Sequence, residues 1–134
     1  MVIGAGQAGL ASAQQLKRRG VSTIVLDANR GPGGAWRHRW DSLTQGKAHG
    51  IANLPGLAAP TGDDSTPASH VVANYYGTYE DHFGLDVRRP VRVENVHYDA
   101  TAHLFHLATT AGSFQAPVLI NATSTWDSPF IPHV

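Results

Sequence analysis

The 134-residue sequence has no cysteine, one methionine and no excess of either charge, with ten Lys plus Arg against ten Asp plus Glu. Without cysteine it offers no disulfide, no thiolate nucleophile and no redox-active dithiol, and it suits a cytoplasmic setting. Balanced charge gives no net field for nucleic acid or an anionic membrane. No apolar run approaches the roughly 20 residues that cross a bilayer, and the N-terminus lacks the basic segment and apolar stretch of a secretory signal. There is no Gly-x-Ser-x-Gly elbow, no internal repeat and no low-complexity tract. Eight histidines are present, but His38, His49, His70, His82, His97 and His133 lack ligand spacing. His103 and His106, three apart on an expected strand, point to opposite faces, so no metal site is expected. The length suggests a single domain over residues 1–134 that buries roughly two thirds of its unfolded surface.

What is present is concentrated at the start. Val2-Ile3 runs into Gly4-Ala5-Gly6-Gln7-Ala8-Gly9, a helix of small residues follows, and a second apolar run, Val21 to Leu26, ends on Asp27. A strand, a Gly-x-Gly-x-x-Gly turn, a helix and a carboxylate 23 residues after the first glycine are the sequence form of a dinucleotide-binding βαβ unit. Gly4 permits a sharp exit from the strand, Gly6 removes a Cβ that would hold a pyrophosphate away, and Gly9 lets helix and strand pack closely. The diphosphate then meets the unpaired N–H groups and positive dipole end of a helix. Asp27 stands where a carboxylate reaches a ribose 2′-hydroxyl and repels a 2′-phosphate. These residues do not separate FAD from NAD. The strand before Gly4 has only three residues, against about five or six in a typical strand, and reads as clipped at its N-terminal edge.

Further along, a helix is expected over Gln7 to Arg19, with Leu10, Ala13 and Leu16 or Lys17 inward and Gln14, Gln15 and Arg18 facing water. Lys17, Arg18 and Arg19 suit the negative end of its dipole, and Gly20 stops it. Val21 to Leu26 reads as a strand covered on both faces. Residues 28–69 are rich in Gly, Pro, Asp and Ser and read as a binding loop with a mobile tip near Ala59 to Ser65. A second helix is expected from about Ser69 to Gly84, its face of Val72, Tyr76, Tyr79 and Phe83 serving as core. An antiparallel meander follows, with Val91, Val93 and Val96 leading its first strand, Leu104 to Thr109 its second and Ser113 to Gln115 its third. Val118-Leu119-Ile120 returns as a buried strand. Arg88, Arg89 and Arg92 read as a solvated strand entrance, and Lys47 and His49 lie in the long loop.

After Asp27 comes Gly31-Pro32-Gly33-Gly34-Ala35-Trp36, and the chain closes with Asn121-Ala122-Thr123-Ser124-Thr125-Trp126-Asp127-Ser128-Pro129-Phe130-Ile131-Pro132. Alone, Gly33-Gly34 is an ordinary turn, and Trp36 and Trp40 are ordinary packing. Together these segments resemble the FAD-binding N-terminal part of the flavin-containing and Baeyer-Villiger monooxygenase group, over essentially the whole chain. The resemblance implies an α/β, Rossmann-like three-layer FAD/NAD(P)-binding domain with an antiparallel β-meander, truncated. It implies that Gly4, Gly6 and Gly9 line the FAD pyrophosphate and that Asp27 holds the adenosine ribose. It also implies that Gly33, Gly34 and Trp36 bring the long loop over the ribityl chain and flavin, that Val93 offers main-chain groups to the adenine, and that Ala122 and Thr123 pass close to the cofactor. The implied parent reaction is NADPH-dependent reduction of FAD and oxygen transfer to a small organic substrate, with no acid, base or nucleophile assigned. The sequence departs from the group at Ser124, where glycine is usual, and lacks the second, NADPH-binding fingerprint and the C-terminal segment. The missing half is expected on the rest of a parent chain, and these residues alone are expected to be inactive. The alternatives are an NAD-dependent dehydrogenase half-domain and a non-catalytic remnant that keeps the fold.

Overall fold

A computed structural model describes residues 1–48, 51–61, 65–127 and 129. Its organising element is a strand of two residues, β1 (Val2–Ile3), between two parallel neighbours. Val2 and Ile3 register with Val25 and Leu26 of β2 (Ile24–Leu26) on one side. On the other side they register with Ile120 and Asn121 of β7 (Ile120–Asn121). Outside β2 lies β3 (Asp86–Arg88), so the sheet order is β3-β2-β1-β7. A strand's side chains alternate between faces, and here the alternation divides two cores. Val2 and Val25 join one with α1 (Gln7–Arg18) and α2 (Ala68–Phe83). Ile3, Ile24 and Leu26 join another beneath a second sheet. That sheet is the antiparallel meander of β4 (Val93–Asp99), β5 (Leu104–Thr109) and β6 (Gly112–Ala116). Helices, parallel sheet and meander make the three layers expected.

Several boundaries shift for identifiable reasons. α1 stops at Arg18, with Arg19 as its cap. Gln14, expected in water, is 3% exposed and belongs to the buried set, because the loop at Gly56 packs over it. The strand expected from Val21 begins only at Ile24. Val21 is still tied to the helix end through its N–H to the Leu16 carbonyl and is 47% exposed. Val118 is likewise exposed, at 64%, and the returning strand starts at Ile120. Val91 precedes β4 rather than leading it, and is buried in the second core. The parallel strand β3 has no expected counterpart in the sequence pattern, since only its middle residue, Val87, packs inward.

The turn at residues 54–57 is tied to α2. The Tyr75 hydroxyl accepts from the Leu54 N–H at 2.7 Å and donates to the Leu57 carbonyl at 2.6 Å, while Tyr79 donates to the Pro55 carbonyl. Tyr75, Tyr76 and Tyr79 thus serve as core, and two of them, Tyr75 and Tyr79, also satisfy the polar backbone of a turn that carries the buried Leu54. The tip expected to be mobile falls partly, at Gly62 to Asp64, outside the described residues. Gly84, in the left-handed region with φ 55°, closes α2 as expected, with the Leu85 N–H reaching back to the Glu80 carbonyl.

Burial, and secondarily the neighbouring Tyr75, pushes the Tyr76 and Tyr79 phenols up from 10.0 to about 12. Unfolded phenols ionise near pH 10, so stability from this source is complete below that pH and is lost as pH rises toward about 12. The urea midpoint is therefore expected to fall steeply above about pH 10, with a shallower fall in Tyr76→Phe. A midpoint that is flat to about pH 12 would contradict the assignment.

Candidate cofactor site

The site grows out of the turn after β1. Gly4 has φ 96°, and a Cβ there would stand 2.6 Å from the Ala122 carbonyl oxygen. A side chain is thus refused both by the backbone conformation and by the crossing segment after β7. Gly9 is tighter still, since its Cβ would lie 1.8 Å from the Gly4 carbonyl oxygen. Gly6 differs: a Cβ added there meets nothing within 4 Å. It is the N-cap of α1, with no side-chain cap and no acidic residue in the first turn, so the helix presents unpaired N–H groups to that space.

The space is one end of a cavity of about 610 Å³, within the roughly 300–1,000 Å³ of small-molecule sites. Its walls include Ile3 to Gly6, Asp27 to Arg30, Val91 to Val93 and Ala122 to Ser124. Of the residues singled out in the sequence, Gly4, Gly6, Asp27, Gly34, Val93, Ala122 and Thr123 are brought together on this wall. Gly9, Gly33 and Trp36 are not on the wall. Gly9 sits behind the turn, a Cβ on Gly33 would press on Ala73 of α2 at 3.2 Å, and Trp36 packs against the helix-side core. Gly34 joins loop to turn, because its Cβ would lie 2.8 Å from Gly6 Cα. Ser124 lines the cavity without a left-handed backbone; among described non-glycine residues only His103 has a positive φ.

Asp27 is 4% exposed and already partnered. Its Oδ1 accepts from the Asn29 backbone N–H at 3.3 Å and Asn29 Nδ2 at 3.1 Å, and its Oδ2 accepts from Arg89 Nε at 2.8 Å. A carboxylate has about four acceptor sites, so a further donor can still be accommodated. Arg89 corrects the sequence reading. Its neighbours Arg88 and Arg92 are exposed, whereas the Arg89 side chain is 11% exposed and also grips Glu80 through both terminal nitrogens, at 2.6 and 2.7 Å. Burial works against the guanidinium's charge, but the hydrogen bonds it donates to Glu80 and then Asp27 outweigh it and raise its pKa above the ordinary value. Nothing local in sequence announces a pair 62 residues apart.

A second cluster unseen in the sequence gathers around Arg39, next to His38 and Trp126 of the cavity wall. The Arg39 guanidinium lies 6.0, 5.8 and 5.0 Å from the rings of Trp36, Trp40 and Trp126, and His38 stacks on Trp126 at 5.9 Å. His38 Nε2 also contacts Asn29 Oδ1 at 2.7 Å, and Arg92 pairs with Asp127 at 3.2 Å. These contacts draw the segment after β7 across toward the loop. Lys47 lies in the one-turn helix Gln45–Lys47, away from the cavity wall, and His49 falls outside the described residues. No group of three or more His, Asp or Glu among the described residues is arranged to hold a metal. No described helix is long and apolar enough to cross a membrane.

The open space at Gly6, the uncapped helix end and the carboxylate on the same wall fit the diphosphate and ribose of a dinucleotide. A family model for pyridine nucleotide-disulphide oxidoreductases matches residues 1–134. An uncharacterized CzcO-like oxidoreductase of Geobacillus kaustophilus is 29% identical over 98% of this chain and 37% of its own length. The probable indole-3-pyruvate monooxygenase YUCCA1 of Arabidopsis thaliana is 26% identical over 100% of this chain and 33% of its own. The solved flavin-containing monooxygenase from Stenotrophomonas maltophilia superposes with a TM-score of 0.83 at 36% identity, over 98% of this chain and 40% of that one. The chain therefore spans 40% or less of the length of each of these relatives. A match over its whole length, on a fold and a glycine turn of this kind, places the chain in the pyridine nucleotide-disulphide oxidoreductase family.

Proposed function

We propose that the chain is the FAD-anchoring portion of an NADPH-dependent flavoprotein monooxygenase that transfers oxygen to a small organic substrate. The observation that carries this is the vacant Cβ position of Gly6 at the uncapped start of α1, in a cavity that also holds Asp27. In this reading the N–H groups of the first turn of α1 bind the diphosphate. Asp27 takes the adenosine ribose, the backbone around Val93 borders the adenine, and Gly34 lets the long loop close on the turn. Ala122 and Thr123 complete the wall, while Trp36, Gly33 and Gly9 act from behind it by packing. Bound FAD would supply the electron transfer and oxygen chemistry, and these residues bind, orient and shield it. The proposal includes a single domain over residues 1–134 in a cytoplasmic protein, with the NADPH-binding half elsewhere in a longer chain and neither nucleic acid nor membrane as partner.

The test is a titration of the purified 134-residue chain with FAD, followed by flavin absorbance and fluorescence. Saturable binding is expected, with no NADPH oxidation by these residues alone. Tight NAD binding without flavin binding would instead indicate a dehydrogenase half-domain, and a folded chain indifferent to both a non-catalytic remnant.

A further inference from the structure

We propose that Glu80, which is outside the cavity, sets the selectivity of the sugar-binding wall for a ribose with a free 2′-hydroxyl by holding Arg89 neutralised behind Asp27. The inference rests on the FAD reading above and concerns the adenosine end of that ligand.

The geometry is a relay through the wall. Asp27 lines the cavity, and Arg89 and Glu80 do not. Arg89 gives its Nε to Asp27 and both terminal nitrogens to Glu80, a forked pairing that fixes a guanidinium's plane as well as its position. With the Asp27, Glu80 and Arg89 side chains 5%, 11% and 11% exposed, solvent does little to screen them. Two carboxylates and one guanidinium leave one net negative charge, and Asp27 is the member that faces the ligand. Without Glu80 the same Arg89 would cancel Asp27 and could turn toward the cavity, where its fork suits a phosphate. Arg30, Arg37 and Arg92 also line the cavity, so the cavity as a whole is not acidic and the refusal of a 2′-phosphate must be local. Arg37 is held by the Pro32 carbonyl and Arg92 by Asp127. Arg89 is a positioning residue here, acting through Asp27, and Glu80 acts through Arg89.

The experiment measures, by calorimetry on the full 134-residue chain, the affinities for ADP-ribose and 2′-phospho-ADP-ribose in the wild type and in Glu80→Gln. The wild type is expected to favour ADP-ribose by about tenfold or more, and Glu80→Gln to shrink that ratio by about tenfold through a gain for the phosphorylated ligand. Equal weakening of both ligands would mean that Glu80 only supports the fold, and an unchanged ratio would mean that it does nothing at the wall; either overturns the proposal. A wild type that binds both equally overturns it while leaving the dinucleotide reading intact. A wild type that binds neither removes that reading, and this inference with it. If Glu80→Gln does not fold, Glu80→Asp, which withdraws the carboxylate by one methylene, should change the ratio in the same direction, and an unchanged ratio again overturns the proposal.

Discussion

Gly9→Ala is expected to cost about 4 kcal/mol or more, a large part of the roughly 5–15 kcal/mol that holds a domain together. The added methyl would lie 1.8 Å from the Gly4 carbonyl oxygen and 3.0 Å from its carbon. Those atoms belong to the turn itself, which is tied by the Gly4 N–H to the Leu26 carbonyl at 2.7 Å and crowded from the other side by Ala122. No flexible side-chain end is available to move aside. The same methyl at Gly6 enters open space, on a backbone with φ −83° that any residue adopts. Gly6→Ala should cost no more than about 1 kcal/mol as a poorer cap, yet lower FAD affinity at least about tenfold because it fills the space where the diphosphate belongs. Urea unfolding and flavin titration on both variants separate the two effects. Equal stability losses, or full FAD affinity in Gly6→Ala, would refute the division of labour between the glycines.

Arg89→Leu is expected to destabilise by about 3–5 kcal/mol, because it leaves Asp27 and Glu80 buried without their shared partner. The adjacent Arg88→Leu breaks an ion pair with Asp86 whose side chains are 46% and 50% exposed, and exposed pairs of this kind contribute only about 0–1 kcal/mol. The shifts in denaturation midpoint of the two variants should therefore differ severalfold although the residues are neighbours in sequence. Removing the stranded charges as well, in Arg89→Leu combined with Asp27→Asn and Glu80→Gln, should recover much of the loss. Similar losses in the two single variants would show that Arg89 is not the buried keystone the geometry describes.

The comparison of Arg88 with Arg89 also shows what a sequence makes legible. The fingerprint glycines, the two helices with their glycine stops and strand β5 were readable because each depends on residues a few positions apart. β3 was not, because with three residues and one inward side chain it has no period to detect; its place is decided by pairing with β2. Gln14 was placed in water because the helical stripe is a local pattern, whereas its cover comes from Gly56. On the cavity wall, Gly4, Gly6 and Asp27 are singled out by spacing. Arg89, Glu80 and Asn29, which decide how Asp27 is held, come from three separate segments and follow only from the fold. Trp36 is assigned to the cofactor by resemblance, but it is off the cavity wall, partly buried against the helix-side core and beside Arg39.

All three tryptophans of the chain surround the single guanidinium of Arg39 in one corner, and of the three only Trp126 lines the cavity. Indole emission from this protein therefore reports almost solely on that corner and is blind to the meander, where no tryptophan resides. Loosening of the segment that carries Trp126 would change the emission while the backbone dichroism of helices and sheets stayed constant, so the two signals would part whenever the opening is local rather than global.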